Sequence, residues 1–362
     1  MKMKKLQFCK SLKKPLFIFV FVLNKAWIAL QDGYEQWKNL TFLQKVLPWI
    51  LMTAYVVGLI LLNGLREDHV IAVGVILIAS YSGPQGRKFL KFALPFLLTF
   101  MVYDSQRFYS DWIRGPIHVS EPYYFDRTFF GIPTNQGILT PNEWCQLHLT
   151  RALDLLTGFA YLTFFSIFIL IAAYYNFYLS RKGTCKLTPA QVKQKASSMP
   201  WAFFWLNLIG YSTYYWYAAA PPWYVTKYGL GPARLDVPAS SAGCIRFDEI
   251  LGTHFFSEMY GRAADVFGAI PSLHVAYPLL AVFFAFQLGS LRVFCIFFYI
   301  WMCFSAVYLN HHYILDILWG SFYALLIGWL VYRLNQSQED WKTEPQIIRQ
   351  SNRKKNSRGN NT

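Results

Sequence analysis

The sequence has 362 residues, of which 55% are hydrophobic, 19% aromatic and only 15% charged. This composition excludes an ordinary soluble domain and is typical of a multi-pass membrane protein. The net charge of +15 does not indicate a nucleic-acid partner, because the basic residues cluster in the termini and short loops, as the positive-inside rule predicts.

The N-terminal region is basic and then weakly apolar. Residues 1–14 contain six lysines and no acidic residue, and the apolar stretch 15–30 is interrupted by Asn24 and Lys25. A transmembrane helix needs about 20 predominantly apolar residues. We therefore predict that residues 1–45 form a cytoplasmic N-terminus with one helix lying in the membrane interface.

Eight apolar stretches follow, and each predicts a transmembrane helix. They cover residues 46–63, 69–83, 89–103, 154–178, 200–219, 272–289, 291–309 and 313–333. The remaining residues, 334–362, are polar and basic, which predicts a disordered tail. The sequence thus predicts an all-α integral membrane protein whose membrane domain covers residues 46–333.

The distribution of charge predicts the orientation of these helices. Two loops are rich in lysine and arginine, one near residue 88 and one between residues 181 and 195. With eight spans, both loops and both termini lie on one side, which the positive-inside rule assigns to the cytoplasm. The long loops 104–153 and 220–271 then lie on the opposite side, and each has four basic and five acidic residues.

Two histidine blocks flank the sixth and seventh predicted spans. His274 lies in the first block, and His312 and Asp316 lie in the second. Residues four apart share one face of a helix, so Asp316 could hold one ring nitrogen of His312 while the other attacks an electrophile. His274 would add a second acid/base group, and the predicted topology places both blocks at the same non-cytoplasmic surface. No further ligands accompany the His-Asp pair, so we predict no metal site.

The spacing of these residues resembles a known family. Ser305, His312 and Asp316 have the spacing of the third signature of the type 2 phosphatidic acid phosphatase superfamily, and the run Pro271-Ser272-Leu273-His274 resembles its second signature, Pro-Ser-Gly-His. Two positions depart from the superfamily pattern: Ala306 replaces an arginine, and Leu273 replaces the glycine.

These departures resemble one branch of the superfamily, the inositol phosphorylceramide synthases. So do the doubled histidine His311-His312 and the run Ala220-Pro221-Pro222-Trp223-Tyr224. Enzymes of that branch move a phospho-headgroup from one lipid to another. The resemblance implies a six-helix catalytic core within the membrane domain.

The resemblance also implies a mechanism. His312 would be the nucleophile and form a phosphohistidine, Asp316 would orient it, and His274 would act as general acid and then as general base. The donor would be a phosphatidylinositol-type lipid and the acceptor ceramide or another lipid alcohol, with no cofactor. The site would face the Golgi lumen or the bacterial periplasm, depending on the organism, and the sequence predicts no particular protein partner.

Several residues are candidates for binding the phosphate or the headgroup. Lys227 and Arg234 have the spacing of the superfamily's first signature, although Leu235 follows instead of proline. Arg246 lies in a Gly-x-x-Arg stretch like one in the synthase branch and is favoured, since arginine binds phosphate bidentately. The other candidates are Arg262, Ser272, Asp104 and Arg107.

Two other functions remain open on the sequence. A lipid phosphate phosphatase would use the same three residues with water as acceptor, whereas Leu273 and Ala306 favour the transferase. A non-catalytic scaffold or transporter would have no need of His312.

Overall fold

The structure is a computed structural model that describes residues 37–135, 137–261 and 266–335. The predicted interfacial helix, nearly all of the predicted C-terminal tail and Arg262 lie outside the described residues. The chain divides into two compact units, Met1–Leu97 and Leu98–Thr362.

The described part of the first unit is helical. Helix α1 (Phe42–Leu61) begins at a capping box, in which the Thr41 side chain accepts from the Gln44 backbone and the Gln44 side chain accepts from the Thr41 backbone. Helix α2 (Glu67–Tyr81) follows, and helix α3 (Gly83–Ser105) runs from this unit into the next.

The second unit contains five long helices and several short ones among the described residues. In chain order, its helices are α4 (Ser110–Ile113), α5 (Ser120–Phe129), α6 (Pro141–Gln146), α7 (Arg151–Lys182), α8 (Pro189–Trp216), α9 (Pro222–Tyr228), α10 (Ile245–Leu251), α11 (Phe255–Tyr260), α12 (Leu273–Leu288), α13 (Arg292–Tyr308) and α14 (Ile314–Asn335). One turn of α7, Tyr174–Leu179, is π-helical.

Each of the eight predicted spans overlaps one of these helices, but the boundaries differ. The largest difference is in α8, which begins at Pro189 rather than at residue 200. Thr188 and Gln191 form a capping box there, and Pro189 occupies the first helical position, where its missing N–H costs nothing. Local capping chemistry thus extends the helix beyond its apolar stretch.

Three of the described helices are long and apolar enough to cross a membrane: Phe42–Leu61, Arg151–Lys182 and Ile314–Asn335. Helices α12 and α13 are apolar but shorter. The described chain is therefore mostly helical, as predicted for a membrane protein, while the number of eight spans stays a prediction.

Four short strands are found among the described residues. Strand β1 (Ile117–His118) pairs in parallel with β4 (Ala218–Ala219), and β2 (Ile132–Thr134) pairs antiparallel with β3 (Gly137–Leu139). Ala219 also forms a bridge to Gly268. Backbone hydrogen bonds thus join three distant loops directly beside Ala269.

In the core of the second unit, three helices pack together. Helices α7, α12 and α13 pack around buried side chains that include Tyr161, Val275 and Met302. The start of α12 is tied to α14 because the backbone N–H of Ser272 donates to the carbonyl of Asp316 at 2.9 Å. Both predicted histidine blocks therefore lie at this junction.

Candidate active site

The ring of His312 is held from one side. Its Nδ1 lies 3.2 Å from Asp316 Oδ2 and 3.1 Å from the backbone carbonyl oxygen of Ala269. Both partners accept hydrogen bonds, so Nδ1 carries the proton and Nε2 keeps its lone pair. The side chain of Asp316 is fully buried, and that of His312 is 6% exposed.

His312 lies just before helix α14 rather than on it, which differs from our prediction that His312 and Asp316 share a helical face. Asp316 is in the first turn, and its Oδ2 accepts from the backbone N–H of Tyr313 at 2.9 Å. The same carboxylate therefore caps the helix and holds the histidine, and the two roles bring the pair together in this turn.

His274 completes the cluster from the first turn of α12. Its Nδ1 lies 3.1 Å from His312 Nε2. Because that Nε2 carries a lone pair, His274 Nδ1 is the donor. The structure thus brings together the three predicted catalytic residues in one relay, from His274 through His312 to Asp316.

The electrostatics of the turn before α14 favour a neutral imidazole. Burial lowers the pKa of His312 to about 4, and the hydrogen bond to Ala269 opposes this shift. Burial, together with the neighbouring His274 and His312, also lowers the pKa of His311. A neutral His312 keeps a lone pair on Nε2 and is chemically able to act as a nucleophile.

Two residues from the first long loop position this turn. Asp126 is fully buried, and its two oxygens accept the backbone N–H groups of Ile314 at 2.7 Å and Leu315 at 3.0 Å. Asn142 donates to the carbonyls of His312 at 3.0 Å and Val307 at 3.1 Å. The loop therefore holds the backbone on both sides of the His312 ring.

Arg246 lies next to this cluster. Its Nε donates to Asp154 Oδ1 at 2.6 Å, and its guanidinium lies 5.6 Å from the centre of the Tyr308 ring. The charge of Arg246 reaches His311. Thr150, rather than Asp154, caps α7, so the Asp154 carboxylate is available to orient the arginine.

The other candidate cations are more exposed. Arg234 pairs with Asp236 at 3.3 Å, and these side chains are 58% and 74% exposed. Lys227 is also exposed and lies over the Tyr228 ring, 5.3 Å from its centre. Among the described candidates, Arg246 is therefore the one whose charge is near the histidines in a largely buried setting.

Asp104 and Arg107, two of the headgroup candidates, lie next to each other. Their ion pair is 3.0 Å long, and the Asp104 side chain is only 4% exposed. Neighbouring Gln106 accepts a hydrogen bond from the hydroxyl of Tyr215 at 2.8 Å. These contacts hold the end of α3 in place, and a headgroup role for the pair stays a prediction.

The two positions that depart from the superfamily pattern, Ala306 and Leu273, pack against identifiable neighbours, and Ser272 beside Leu273 is buried. Ala306 is fully buried, and its carbonyl oxygen accepts from the backbone N–H groups of both His311 and His312 at 3.1 Å. Ser272 is fully buried at the start of α12, and its hydroxyl has no hydrogen-bond partner among the described residues. Leu273 packs against Gly210, where an added Cβ would lie 2.9 Å from the leucine.

Sequence reasoning missed several residues around the site. Asp126 and Asn142 contact residues that are 188 and 170 positions away, respectively, and no local pattern marks such contacts. The rings of Tyr161 and Tyr260 both stack on His311, and neither residue lies in a motif. Among the described residues, no group of three or more His, Cys, Asp or Glu side chains is arranged to hold a metal ion.

Comparison with known proteins agrees with the resemblance. The family model described as "PAP2 superfamily" matches residues 139–330. The phosphoinositol dihydroceramide synthase of Bacteroides thetaiotaomicron is 34% identical over 301 residues, which is 82% of this chain and 91% of that protein. No solved structure matches significantly.

Fungal proteins match over a shorter stretch. The catalytic subunit of inositol phosphorylceramide synthase from Schizosaccharomyces pombe is 35% identical over 129 residues, which is 35% of this chain and 31% of that subunit. The inositol phosphorylceramide synthase of Candida albicans is 32% identical over 131 residues, 36% of this chain and 28% of that protein. The chain is thus a membrane transferase of the PAP2 superfamily and belongs to its inositol phosphorylceramide synthase-like branch.

Proposed function

We propose that this protein transfers a phospho-headgroup, inositol phosphate, from a phosphatidylinositol-type donor to ceramide or a similar lipid alcohol. The observation that carries the proposal is the relay of His274, His312 and Asp316, in which a neutral nucleophilic nitrogen faces a proton donor. The names of the relatives support the choice of donor and acceptor classes.

In the first step, Nε2 of His312 attacks the phosphorus of the donor. The bond from phosphorus to the diacylglycerol oxygen breaks, and His274, which enters this step protonated on both ring nitrogens, gives one proton to the leaving oxygen and becomes neutral. The product is a phosphohistidine whose ring is positively charged, and Asp316 stabilises this charge through Nδ1–H. The 3.1 Å contact between the two histidines is replaced when the phosphoryl group enters.

In the second step, the hydroxyl of the acceptor lipid attacks the same phosphorus. His274 takes the hydroxyl proton, the N–P bond breaks, and the electron pair returns to Nε2 of His312. Both enzyme residues return to their starting protonation. Phosphoryl oxygens carry negative charge throughout, and Arg246 is the cation that we propose to stabilise them.

We also propose that the reaction takes place at the non-cytoplasmic membrane surface and that both termini are cytoplasmic. The balanced charge of the two long loops supports this orientation, since residues of both loops surround the histidines.

The proposal is tested with purified protein in detergent and phosphatidylinositol labelled in its headgroup, with and without ceramide. We expect label in a sphingolipid only when ceramide is present, and none with His312→Ala. Release of free inositol phosphate, or of inorganic phosphate from phosphatidic acid, without dependence on ceramide would contradict transfer and indicate the phosphatase alternative.

A further inference from the structure

Unpaired buried polar atoms are concentrated around the histidine cluster. Six such atoms in this region have no hydrogen-bond partner among the described residues: Tyr161 Oη, Tyr260 Oη, Arg246 Nη2, Ser272 Oγ, Asn142 Oδ1 and Asp316 Oδ1. A buried donor without an acceptor destabilises a folded protein, so native structures rarely keep one without a reason. A ligand with phosphate oxygens and hydroxyl groups would offer acceptors to the four groups that can donate and donors to the two oxygens that only accept.

Two of the unpaired groups are phenols that contact the histidines. The ring of Tyr161, from α7, stacks on His274 at 4.7 Å and on His311 at 5.2 Å between ring centres. The ring of Tyr260, from α11, stacks on His311 at 4.9 Å. The two phenols are within electrostatic reach of each other and of the Cys244 thiol. They therefore place two unpaired phenols around the ring of His311, next to the relay.

The third group, Arg246, supplies a positive charge within electrostatic reach of His311 and Cys244. Arg246 uses Nε to bind Asp154, which leaves Nη2 as an unpaired donor. A cation beside two hydroxyls matches a ligand with a phosphate and several hydroxyl groups, since phenols both donate to and accept from alcohols. An amine-bearing headgroup would place a second cation near Arg246, which repulsion between like charges disfavours.

We propose that Tyr161 and Tyr260 form a headgroup subsite, which recognises the hydroxyl groups of a phosphate-linked polyol while Arg246 binds its phosphate. This proposal rests on the proposed function, because it assigns the polyol to the donor lipid. A site that is built to hydrogen-bond hydroxyls discriminates strongly against analogues that lack them. The two tyrosines would thus determine which donor lipid is used.

The test measures binding of soluble probes to the purified protein by calorimetry. Inositol 1-phosphate carries phosphate and hydroxyls, whereas inorganic phosphate lacks the polyol. We expect Tyr161→Phe and Tyr260→Phe each to weaken binding of inositol 1-phosphate about 10-fold, as loss of one buried hydrogen bond predicts, and to leave binding of inorganic phosphate unchanged. Arg246→Lys should weaken the binding of both probes.

A second measurement separates the two sources of hydroxyls, the headgroup and the ceramide. In the transfer reaction, the two tyrosine variants should raise KM for the donor lipid and leave KM for ceramide unchanged. A rise in KM for ceramide with normal binding of inositol 1-phosphate would overturn the proposal, and so would variants that change neither quantity.

Tyr175→Phe is the matched control. Tyr175 is as deeply buried as Tyr161, but its hydroxyl donates to the Ser290 carbonyl at 2.8 Å. We expect the control to lower the Tm without changing probe binding, whereas Tyr161→Phe removes no hydrogen bond and should not lower the Tm. If the wild-type protein distinguishes the two probes but transfers nothing to ceramide, only the proposed function is contradicted. If it transfers the headgroup and the tyrosine variants change nothing, only the headgroup subsite is contradicted.

Discussion

The protonated nitrogen of His312 faces two different acceptors, and only one of them is charged. The Ala269 carbonyl can fix the tautomer on its own, while the Asp316 carboxylate also stabilises the positive charge that develops on the ring. This arrangement separates orientation of the ring from stabilisation of its charge. Substitution of the Asp316 carboxylate therefore tests stabilisation of the charge separately from orientation of the ring.

We predict that Asp316→Asn slows headgroup transfer at least about 100-fold, because the amide cannot offset the charge of the imidazolium. Steady-state kinetics with labelled phosphatidylinositol measures this effect in kcat. Asp236→Asn is the control, since Asp236 is 74% exposed and pairs only with exposed Arg234 among its described contacts. Equal activity of the two variants would rule out the role of Asp316.

The roles of His274 and His312 are separable with a donor that has an acidic leaving alcohol. Such a donor does not need protonation by His274. With it, His274→Ala should form the phosphohistidine at nearly the wild-type rate but pass the group to ceramide at least about 100-fold more slowly. The labelled phosphoenzyme should accumulate, which is measured by trapping it at high pH, where phosphohistidine is stable.

His312→Ala should give no labelled protein in the same experiment. If His274→Ala cleaves the activated donor as slowly as the natural one, then His274 acts in some way other than as an acid.

The low pKa of His312 predicts the acid side of the pH profile. In the proposed mechanism its neutral form is the nucleophile, and this form persists until the pH falls to about 4. With the activated donor, kcat/KM for phosphoenzyme formation should therefore stay level as the pH falls through 6.5, the usual value for histidine, and decrease only towards pH 4. The groups that face the ring are His274, Asp316 and the nearby His311.

The lowered pKa of His312 also predicts how the stability of the fold depends on pH. Since the pKa is lowered by folding, the unfolded chain binds the proton first, and stability is lost as the pH falls from about 6.5 to about 4. For the kinetic prediction, the contradicting result is a loss of phosphoenzyme formation centred near pH 6.5. That result would show that the His312 ring is not shielded from water as the structure indicates.

At the scale of the helices, the N-terminus of α14 depends on a carboxylate from elsewhere in the chain. Asp126 accepts the N–H groups of Ile314 and Leu315, which have no partner within the helix. A negative charge at this end is also favoured by the helix dipole. Because Asp316 lies one residue beyond Leu315, the cap sets the position of the Asp316 carboxylate.

We predict that Asp126→Ala lowers kcat about 10-fold or more with little change in KM, because two buried N–H groups lose their acceptors and the turn shifts. Asp126→Glu should restore part of the activity, since it keeps the carboxylate. Asp111→Asn is the control on the same loop, because the Asp111 side chain is 82% exposed. A change in KM alone would mean that Asp126 does not position the relay.

Much of the helical architecture was predictable, since a long apolar run must form a helix inside a membrane. The ends of the helices were less predictable. Helix α8 starts at Pro189 because of a capping box in a polar segment, and its last predicted residues, up to 219, include strand β4. The spacing of His312 and Asp316 predicted their contact but not that His312 precedes the helix. Contacts such as that of Asp126 with α14 depend on how distant loops fold back, which no local pattern encodes.

For the whole molecule, the site is a meeting of helix ends covered by two long loops. The start of α12, the end of α13 and the start of α14 supply the histidines and Asp316, while Asp126 and Asn142 come from the first loop and Arg246 from the second. All of these segments must lie on one side of the membrane. Finding on which side of the membrane one of the opposite loops lies therefore tests which side the site faces.

Cys185 provides this test. It is an exposed free cysteine in the basic segment between α7 and α8, which we predict to be cytoplasmic. In sealed vesicles whose cytoplasmic face is inside, a membrane-impermeant maleimide should label Cys185 only after the vesicles are opened, as measured by the mass of the purified protein. The variant Cys9→Ser removes the cysteine that lies outside the described residues.

Asp236→Cys in the Cys9→Ser, Cys185→Ser background is the matched probe for the other side, since Asp236 is exposed in the second long loop. It should react in intact vesicles, and the buried Cys145, Cys244 and Cys295 should contribute little. Labelling of Cys185 in intact vesicles, with protection of the cysteine at position 236, would reverse the orientation. The relay would then face the cytoplasm, and the lipid substrates would have to reach it from the inner leaflet.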